Sequence, residues 1–186
     1  MSSASDSARR TRVVESLRGA GDWLQLVPRP AAWALVVAWL GLIWWLSSQP
    51  SDPTPGPWWL SVLWNGGHAP IYGLLALWLA LALPRHAGWP KLDRRGVLSV
   101  LALVLASGVL DEFHQSTTSG RDFSALDLLT DLAGAACVLW IATFLADDRA
   151  DDGGLARRVI AGIALCTLAA LSATFVGQSF RELAWL

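Results

Sequence analysis

The sequence predicts an all-α, polytopic membrane protein: a bundle of about five transmembrane helices with its N-terminus on the cytoplasmic side. Of the 186 residues, 54% are hydrophobic and 16% are charged, whereas a soluble domain carries about 25% charged residues. Five apolar runs follow one another, and Lys and Arg are dense in alternate segments between them. The composition indicates that much of the surface faces lipid, and the charge pattern indicates how the helices are oriented.

Each apolar run is a candidate membrane span. The runs cover 31–46, 71–83, 97–110, 126–145 and 159–176. A spanning helix needs about 20 residues, and the first three runs reach that length with flanking residues, over 30–48, 68–84 and 95–115. A soluble helical bundle is the alternative. It fits poorly because the first and fifth runs lack the polar face that a soluble helix needs.

The segments between the runs orient the helices. Segments 1–30, 84–96 and 146–158 carry five, four and three Lys and Arg residues, whereas 47–67 has none and 111–125 has one. Positively charged segments stay in the cytoplasm. The N-terminus is therefore predicted inside, and the C-terminus outside after five crossings. The end of the bundle with segments 47–67 and 111–125, which is predicted to face away from the cytoplasm, is called the outer end. The opposite end, with segments 84–96 and 146–158, is called the inner end.

Three parts follow from this topology: a polar cytoplasmic tail (1–30), a four-span membrane domain (31–146), and a cytoplasmic loop, fifth span and short outer tail (147–186). The tail is either a short surface-lying helix or a disordered segment. The apolar residues that would form such a helix are Val13, Val14, Leu17, Trp23 and Leu24. A cleaved signal peptide is not expected, because Ser-Ser-Gln-Pro follows the first run instead of a small-residue cleavage site.

Composition and motifs exclude several function classes. A net charge of −1 provides no basic patch for nucleic acid. Cys137 and Cys166 lie inside apolar runs and are interpreted as small packing residues. The sequence contains no G-x-S-x-G, no H-E-x-x-H and no phosphate-binding glycine loop. We therefore predict no cofactor and no metal, and a catalytic role is left uncertain, with binding favoured.

Polar residues gather at the outer ends of the first four predicted spans. The predicted site consists of Gln49, His68, Tyr72, Glu112, Gln115, Arg121, Asp127 and Asp131. Ionisable groups at the edge of a bilayer are costly and usually face the bundle interior or a wet cavity. The pattern therefore predicts a polar pocket that opens outward.

The starts of spans two and four are predicted to lie beside this pocket. Gly66-Gly67 is interpreted as a turn before span two, with Pro70 in its first turn, and Ser124 as the N-terminal cap of span four, with Asp127 in its first turn. Helix N-termini carry partial positive charge and, together with Arg121, would attract an anionic group.

The end of span three supplies a stripe of three residues, Gly108, Glu112 and Gln115, at helical spacing. Gly108 would allow a neighbouring backbone to approach closely. Glu112 lies at a helix C-terminus, where the dipole disfavours negative charge, so it needs a partner. Arg121 and His68 are the candidates. A structural ion pair and a binding or catalytic role both remain open for this cluster.

These residues resemble the VanZ-like family of membrane proteins. The matching pieces are Leu46-Ser47-Ser48-Gln49-Pro50, His68-x-x-x-Tyr72-x-x-Leu75, Glu112-x-x-Gln115, Gly120-Arg121, and Asp127 with Gly134 seven residues later. The resemblance covers roughly residues 40–145. The chain departs from the family pattern at Asn65, often Lys, at Asp131, often Asn, and at Ser119, often Pro. The cluster is thus more acidic, which puts in doubt an anionic ligand recognised through that Lys.

The resemblance implies a location in the bacterial plasma membrane and a contribution to glycopeptide resistance of the teicoplanin type. Combined with the outer cluster, it predicts an integral membrane protein whose pocket binds a lipid head group, a cell-envelope precursor or a lipophilic glycopeptide. The bilayer is the predicted partner. One alternative is an enzyme that modifies envelope lipids with Glu112 or His68 as general base. Another is a small proton-coupled transporter that uses Asp131 and Glu112.

Overall fold

The computed structural model describes residues 12–50, 57–84, 92–121 and 123–183, with side chains up to 176. Within these residues the regular structure is entirely helical, which confirms the predicted fold class. The helices are α1 (Arg12–Gln25), α2 (Arg29–Ser47), α3 (Trp58–Ala82), α4 (Arg94–Gln115), α5 (Ala125–Leu145) and α6 (Asp152–Leu183).

In the part of the chain that the structure describes, four helices are long and apolar enough to cross a membrane: α2, α4, α5 and the Asp152–Val176 part of α6. The fifth long helix, α3, has 25 residues and lies in the centre, in contact with α2, α4, α5 and α6. Its inner half is buried among these neighbours, and its outer half carries Asn65, His68 and Pro70. A bundle of about five spans therefore fits the structure, with α3 surrounded mainly by protein.

Helix α3 begins earlier than the sequence suggested. The predicted turn at Gly66-Gly67 and the placement of Pro70 in a first turn are wrong, because the helix starts at Trp58 and contains Pro70. A proline inside a membrane helix is tolerated where neighbouring helices compensate for the disturbed backbone. One residue beyond Pro70, the Trp39 indole of α2 donates a hydrogen bond to the Ile71 carbonyl at 2.9 Å and joins α2 to this part of α3.

The N-terminal tail is helical from Arg12, so the helix is the correct alternative for this part of the tail. Val14 is buried against the residues that join α5 to α6. The Asp152 carboxylate accepts hydrogen bonds from the Val13 and Val14 backbone N–H groups at 3.2 and 2.9 Å. The Arg18 side chain donates to the Leu145 carbonyl at 2.8 Å. These bonds fix α1 to the inner end of the bundle.

The backbones of helices α3 and α5 approach each other closely in the outer half of the bundle. A Cβ atom on Gly134 would overlap the backbone of Ala69, and one on Gly73 would lie 3.2 Å from the Gly134 carbonyl oxygen. Small residues permit such close packing between membrane helices. Gly134 therefore sets the spacing of the two helices that carry His68 and Asp131.

Candidate functional site

Among the described residues, the buried polar side chains all lie at the outer end. They are Ser47 on α2, Asp111, Glu112 and Gln115 on α4, Thr130 and Asp131 on α5, and Thr174 on α6. Burial of polar groups away from water is unfavourable unless they are hydrogen-bonded. The hydrogen bonds at the outer end are therefore the ones that must satisfy these buried polar side chains.

A hydrogen bond joins His68 on α3 to Asp131 on α5. His68 Nδ1 and Asp131 Oδ1 are 2.9 Å apart, and the two side chains are 18% and 2% exposed. Gly108 of α4 faces this pair, since a Cβ there would lie 2.7 Å from Asp131 Oδ2. The glycine makes room for a carboxylate, not for a neighbouring backbone as the sequence suggested. Tyr72, one turn along α3, has its ring nearly parallel to that of His68, with centroids 6.2 Å apart.

Glu112 lies beside this pair but has a different partner from the expected ones. Its Oε2 accepts a hydrogen bond from the Ser124 backbone N–H at 2.6 Å. Among the described residues it forms no salt bridge with Arg121 or His68, so the expected pairing is wrong. The physical reason is that the first N–H groups at a helix start lack intrahelical partners, and a carboxylate is their strongest acceptor. Glu112 Oε1 is buried and has no hydrogen-bond partner in this part of the chain.

The start of α5 is built as the sequence predicted. Ser124 is its N-cap, with Oγ accepting from the Asp127 backbone N–H at 3.3 Å, and Asp127 lies in the first turn. The preceding loop turns at Gly120, whose φ of 77° is in the left-handed region that favours glycine. Arg121 follows directly. Its Nε is buried without a hydrogen bond among the residues that the structure describes.

A second polar network joins α2 to α4. Ser47 Oγ donates a hydrogen bond to Asp111, and Gln115 Nε2 donates to Asp111 Oδ2 at 2.9 Å. Asp111 was not among the predicted site residues. Its spacing of four residues from Gln115, typical of side chains that meet on one helix face, is the signal that could have found it.

Two residues at the end of α2 lie at the rim of the cluster. Ser48 Oγ and His114 Nε2 share a hydrogen bond of 2.8 Å, and the His114 ring stacks on Trp44 at 3.7 Å. Gln49 is exposed, and its amide donates to the Trp45 carbonyl at 2.8 Å. The structure therefore does not bring Gln49 to the other predicted site residues.

The chemistry of the cluster is that of charge and hydrogen bonding. Within the described residues, no group of three His, Cys, Asp or Glu side chains is arranged to hold a metal ion. A cavity of about 350 Å³ lies at the inner end of the bundle. It is lined by Leu92, Thr143, Ala146, Asp147 and Asp148. None of its lining residues belongs to the cluster.

Comparison with known proteins identifies the family. The VanZ/LLP1 family model matches residues 2–146, so α6 lies beyond the matched region. No curated protein and no solved structure matches the chain. The match spans well over half of the chain and includes His68, Glu112, Arg121 and Asp131. The protein is an integral membrane protein that belongs to the VanZ/LLP1 family.

Proposed function

We propose that the outer end of the bundle is a binding site for the head group of an envelope lipid or a lipid-linked envelope precursor. The observation that carries this proposal is Glu112, which is 1% exposed and keeps Oε1 without a hydrogen bond within the described residues. A buried polar atom left in this state costs about 1–3 kcal/mol. A ligand that donates a hydrogen bond to Oε1 would remove that cost.

Access to the cluster is from the outer side. His68 is partly exposed, whereas its partner Asp131 is enclosed. The loop residues Arg121 and Ser124 are also only partly buried. A head group at the outer leaflet would therefore meet His68 and the loop first, with Asp131 and Glu112 behind them. A lipophilic glycopeptide inserted in the same leaflet would meet the same groups, which would link the site to teicoplanin-type resistance in a bacterial plasma membrane.

An enzyme is the second candidate, and one observation favours it. Asp131 bonds His68 Nδ1, and a carboxylate in that position orients a histidine whose other ring nitrogen acts as general base. Binding is the preferred function because, within the described residues, the His68 ring is hydrogen-bonded to Asp131 and to no hydroxyl or thiol that it could activate. An enzyme would leave a changed lipid profile in cells that express the wild type, absent with His68→Gln.

Co-purified lipids test the binding proposal. The full-length wild type, Glu112→Gln, Asp131→Asn and Asp148→Asn would be purified in mild detergent, and their retained lipids and precursors measured by mass spectrometry against the source membranes. Asp148 is an exposed aspartate at the inner end, so Asp148→Asn is the matched control. We expect one class enriched by the wild type and the control and reduced about tenfold in the site variants, equivalent to about 1.4 kcal/mol. Identical profiles for all four proteins would contradict the proposal.

A further inference from the structure

The charge balance of the outer site is acidic, which bears on the ligand of the proposed function. Among the described residues, it contains the carboxylates of Asp111, Glu112, Asp127 and Asp131, against Arg121 as the only permanently charged cation. His68 is engaged by Asp131. Opposite charges give complementarity in recognition, so this site favours a cationic group.

The helix starts that would attract an anion are partly used or lie at a distance from the site, which leaves Arg121, whose Nε has no hydrogen bond among the described residues. At the start of α5, the Ser124 N–H donates to Glu112, and the Asp127 N–H donates to Ser124 Oγ. The start of α3 is at Trp58, ten residues before His68, a distance of about 15 Å along a helix. The expectation that helix N-termini at this site attract an anionic ligand is therefore not supported by the structure.

Two buried atoms point to a hydrogen-bond donor instead. Glu112 Oε1 and the Tyr72 hydroxyl belong to side chains that are each 1% exposed; Glu112 Oε1 has no hydrogen bond in the described chain, and the Tyr72 hydroxyl, which lies within reach of the Asp111 carboxylate, accepts none. Tyr72 lies beside His68, with ring centroids 6.2 Å apart, and Glu112 lies one turn after Gly108, which faces Asp131, the partner of His68. An ionised carboxylate only accepts hydrogen bonds, and a hydroxyl accepts as well as donates.

We infer that the ligand of the proposed site is recognised through a primary ammonium group that donates to Glu112 Oε1 and to the Tyr72 hydroxyl. An ammonium carries one positive charge and three N–H donors. It therefore matches both the acidic balance and the two oxygens that accept no hydrogen bond. The ammonium of an ethanolamine-type lipid head group and the free amine of an envelope-precursor peptide share this chemistry.

The test uses full-length protein in phosphatidylcholine nanodiscs that contain a minor fraction of one probe lipid. The probes are phosphatidylethanolamine, its N-acetylated form, which lacks the ammonium, and phosphatidylglycerol, which is anionic. A parallel arm titrates a lysine-containing muramyl peptide and its N-acetylated form. We expect at least fivefold greater retention of one free amine than of its acetylated form. That preference should be lost in Glu112→Gln, reduced in Tyr72→Phe and kept in Asp148→Asn.

The outcomes separate this inference from the proposed function. Preferential retention of phosphatidylglycerol that is lost in Arg121→Gln would overturn the ammonium inference and leave a binding site for an anion. Equal retention of every probe by the wild type and both site variants would overturn the proposed function as well. Retention of the lipid amine alone or of the peptide amine alone supports the inference and identifies the source of the ligand. Tyr72→Phe provides the test if Glu112→Gln does not fold.

Discussion

The two ends of the bundle use acidic residues in different ways. At the inner end, Asp93 Oδ1 accepts from the Gly96 N–H at 2.7 Å and caps α4, and Asp152 accepts the first N–H groups of α1. Arg18 donates to the Leu145 carbonyl at the end of α5. These charges satisfy helix termini, where backbone groups lack partners. They hold the architecture together.

At the outer end the acidic side chains lie between helices. Asp131 is enclosed by α3 and α4, and Glu112 leaves one oxygen without a partner in the described part of the chain. Burial of a charge is unfavourable unless pairing and hydrogen bonds are complete. Acidic residues thus stabilise the fold at the inner end, whereas at the outer end they include a carboxylate oxygen that can still accept a hydrogen bond. That capacity is what a ligand would use.

The largest loss of stability is expected for Gly134→Ala, at the contact between the backbones of α3 and α5. In Gly134→Ala, the new methyl group would overlap the Ala69 backbone, so α3 and α5 must separate. We expect a stability loss of about 1–3 kcal/mol or more, as for other overpacked cores, together with loss of lipid enrichment. Thermal unfolding in detergent, followed by tryptophan fluorescence, measures it.

Gly67→Ala is the matched control for that change, because nothing lies within 4 Å of a Cβ at Gly67. Replacing a helical glycine with alanine stabilises by up to about 1 kcal/mol, so the control should be neutral or slightly stabilised. If both variants unfolded at the temperature of the wild type, the α3–α5 contact would not be as close as the structure has it.

A smaller loss of stability, confined to α1, is expected for Asp152→Ala at the inner end. Asp152→Ala removes the acceptor of the Val13 and Val14 N–H groups, and loss of a cap costs about 0.5–2 kcal/mol. Hydrogen exchange in α1 should accelerate, whereas lipid enrichment should stay at the wild-type level. Asp22→Ala, an exposed aspartate on the same helix, is the control and should change neither quantity. Reduced lipid enrichment in Asp152→Ala would show that the two ends are not independent.

The smallest effect is expected for Ser47→Ala. The change removes one hydrogen bond to Asp111 and leaves the bond from Gln115, so a loss of about 0.5–1.5 kcal/mol is expected. Ser172 is exposed on α6, and Ser172→Ala should have no effect. Chemical unfolding of the two variants side by side measures the difference. Equal stabilities would mean that Gln115 alone satisfies Asp111.

The fold could be predicted where hydrophobicity alone determines a helix. The predicted spans 97–110 and 126–145 lie within α4 and α5, because lipid-facing helices are apolar along their whole length. The start of α3 was missed because Asn65, Gly66 and His68 in its outer half interrupt the apolar run without ending the helix. Hydrophobicity does not reveal a stretch of helix whose polar side chains pair with a neighbouring helix, as His68 does with Asp131.

Several members of the outer polar cluster could be predicted, but Asp111 was missed, Gln49 lies apart from the cluster, and the hydrogen bonds between helices were not predicted. His68, Glu112 and Asp131 were singled out because ionisable groups are rare in membrane helices. Their partners depend on how α3, α4 and α5 pack, which is set by Gly108 and Gly134. Adjacent residues on one helix can also serve different neighbours. Asp111 faces Ser47 of α2, whereas Glu112 faces the start of α5.

The most direct test of the central claim is the melting temperature of Glu112→Gln together with its retained lipids. Glutamine can still accept the Ser124 N–H through its amide oxygen, and its NH₂ group would replace the unpartnered oxygen beside Asp131. We therefore expect an unchanged or higher melting temperature with loss of head-group enrichment, because function and stability are in conflict at such a site. A lower melting temperature with enrichment intact would show that Glu112 serves the fold, and would contradict the claim.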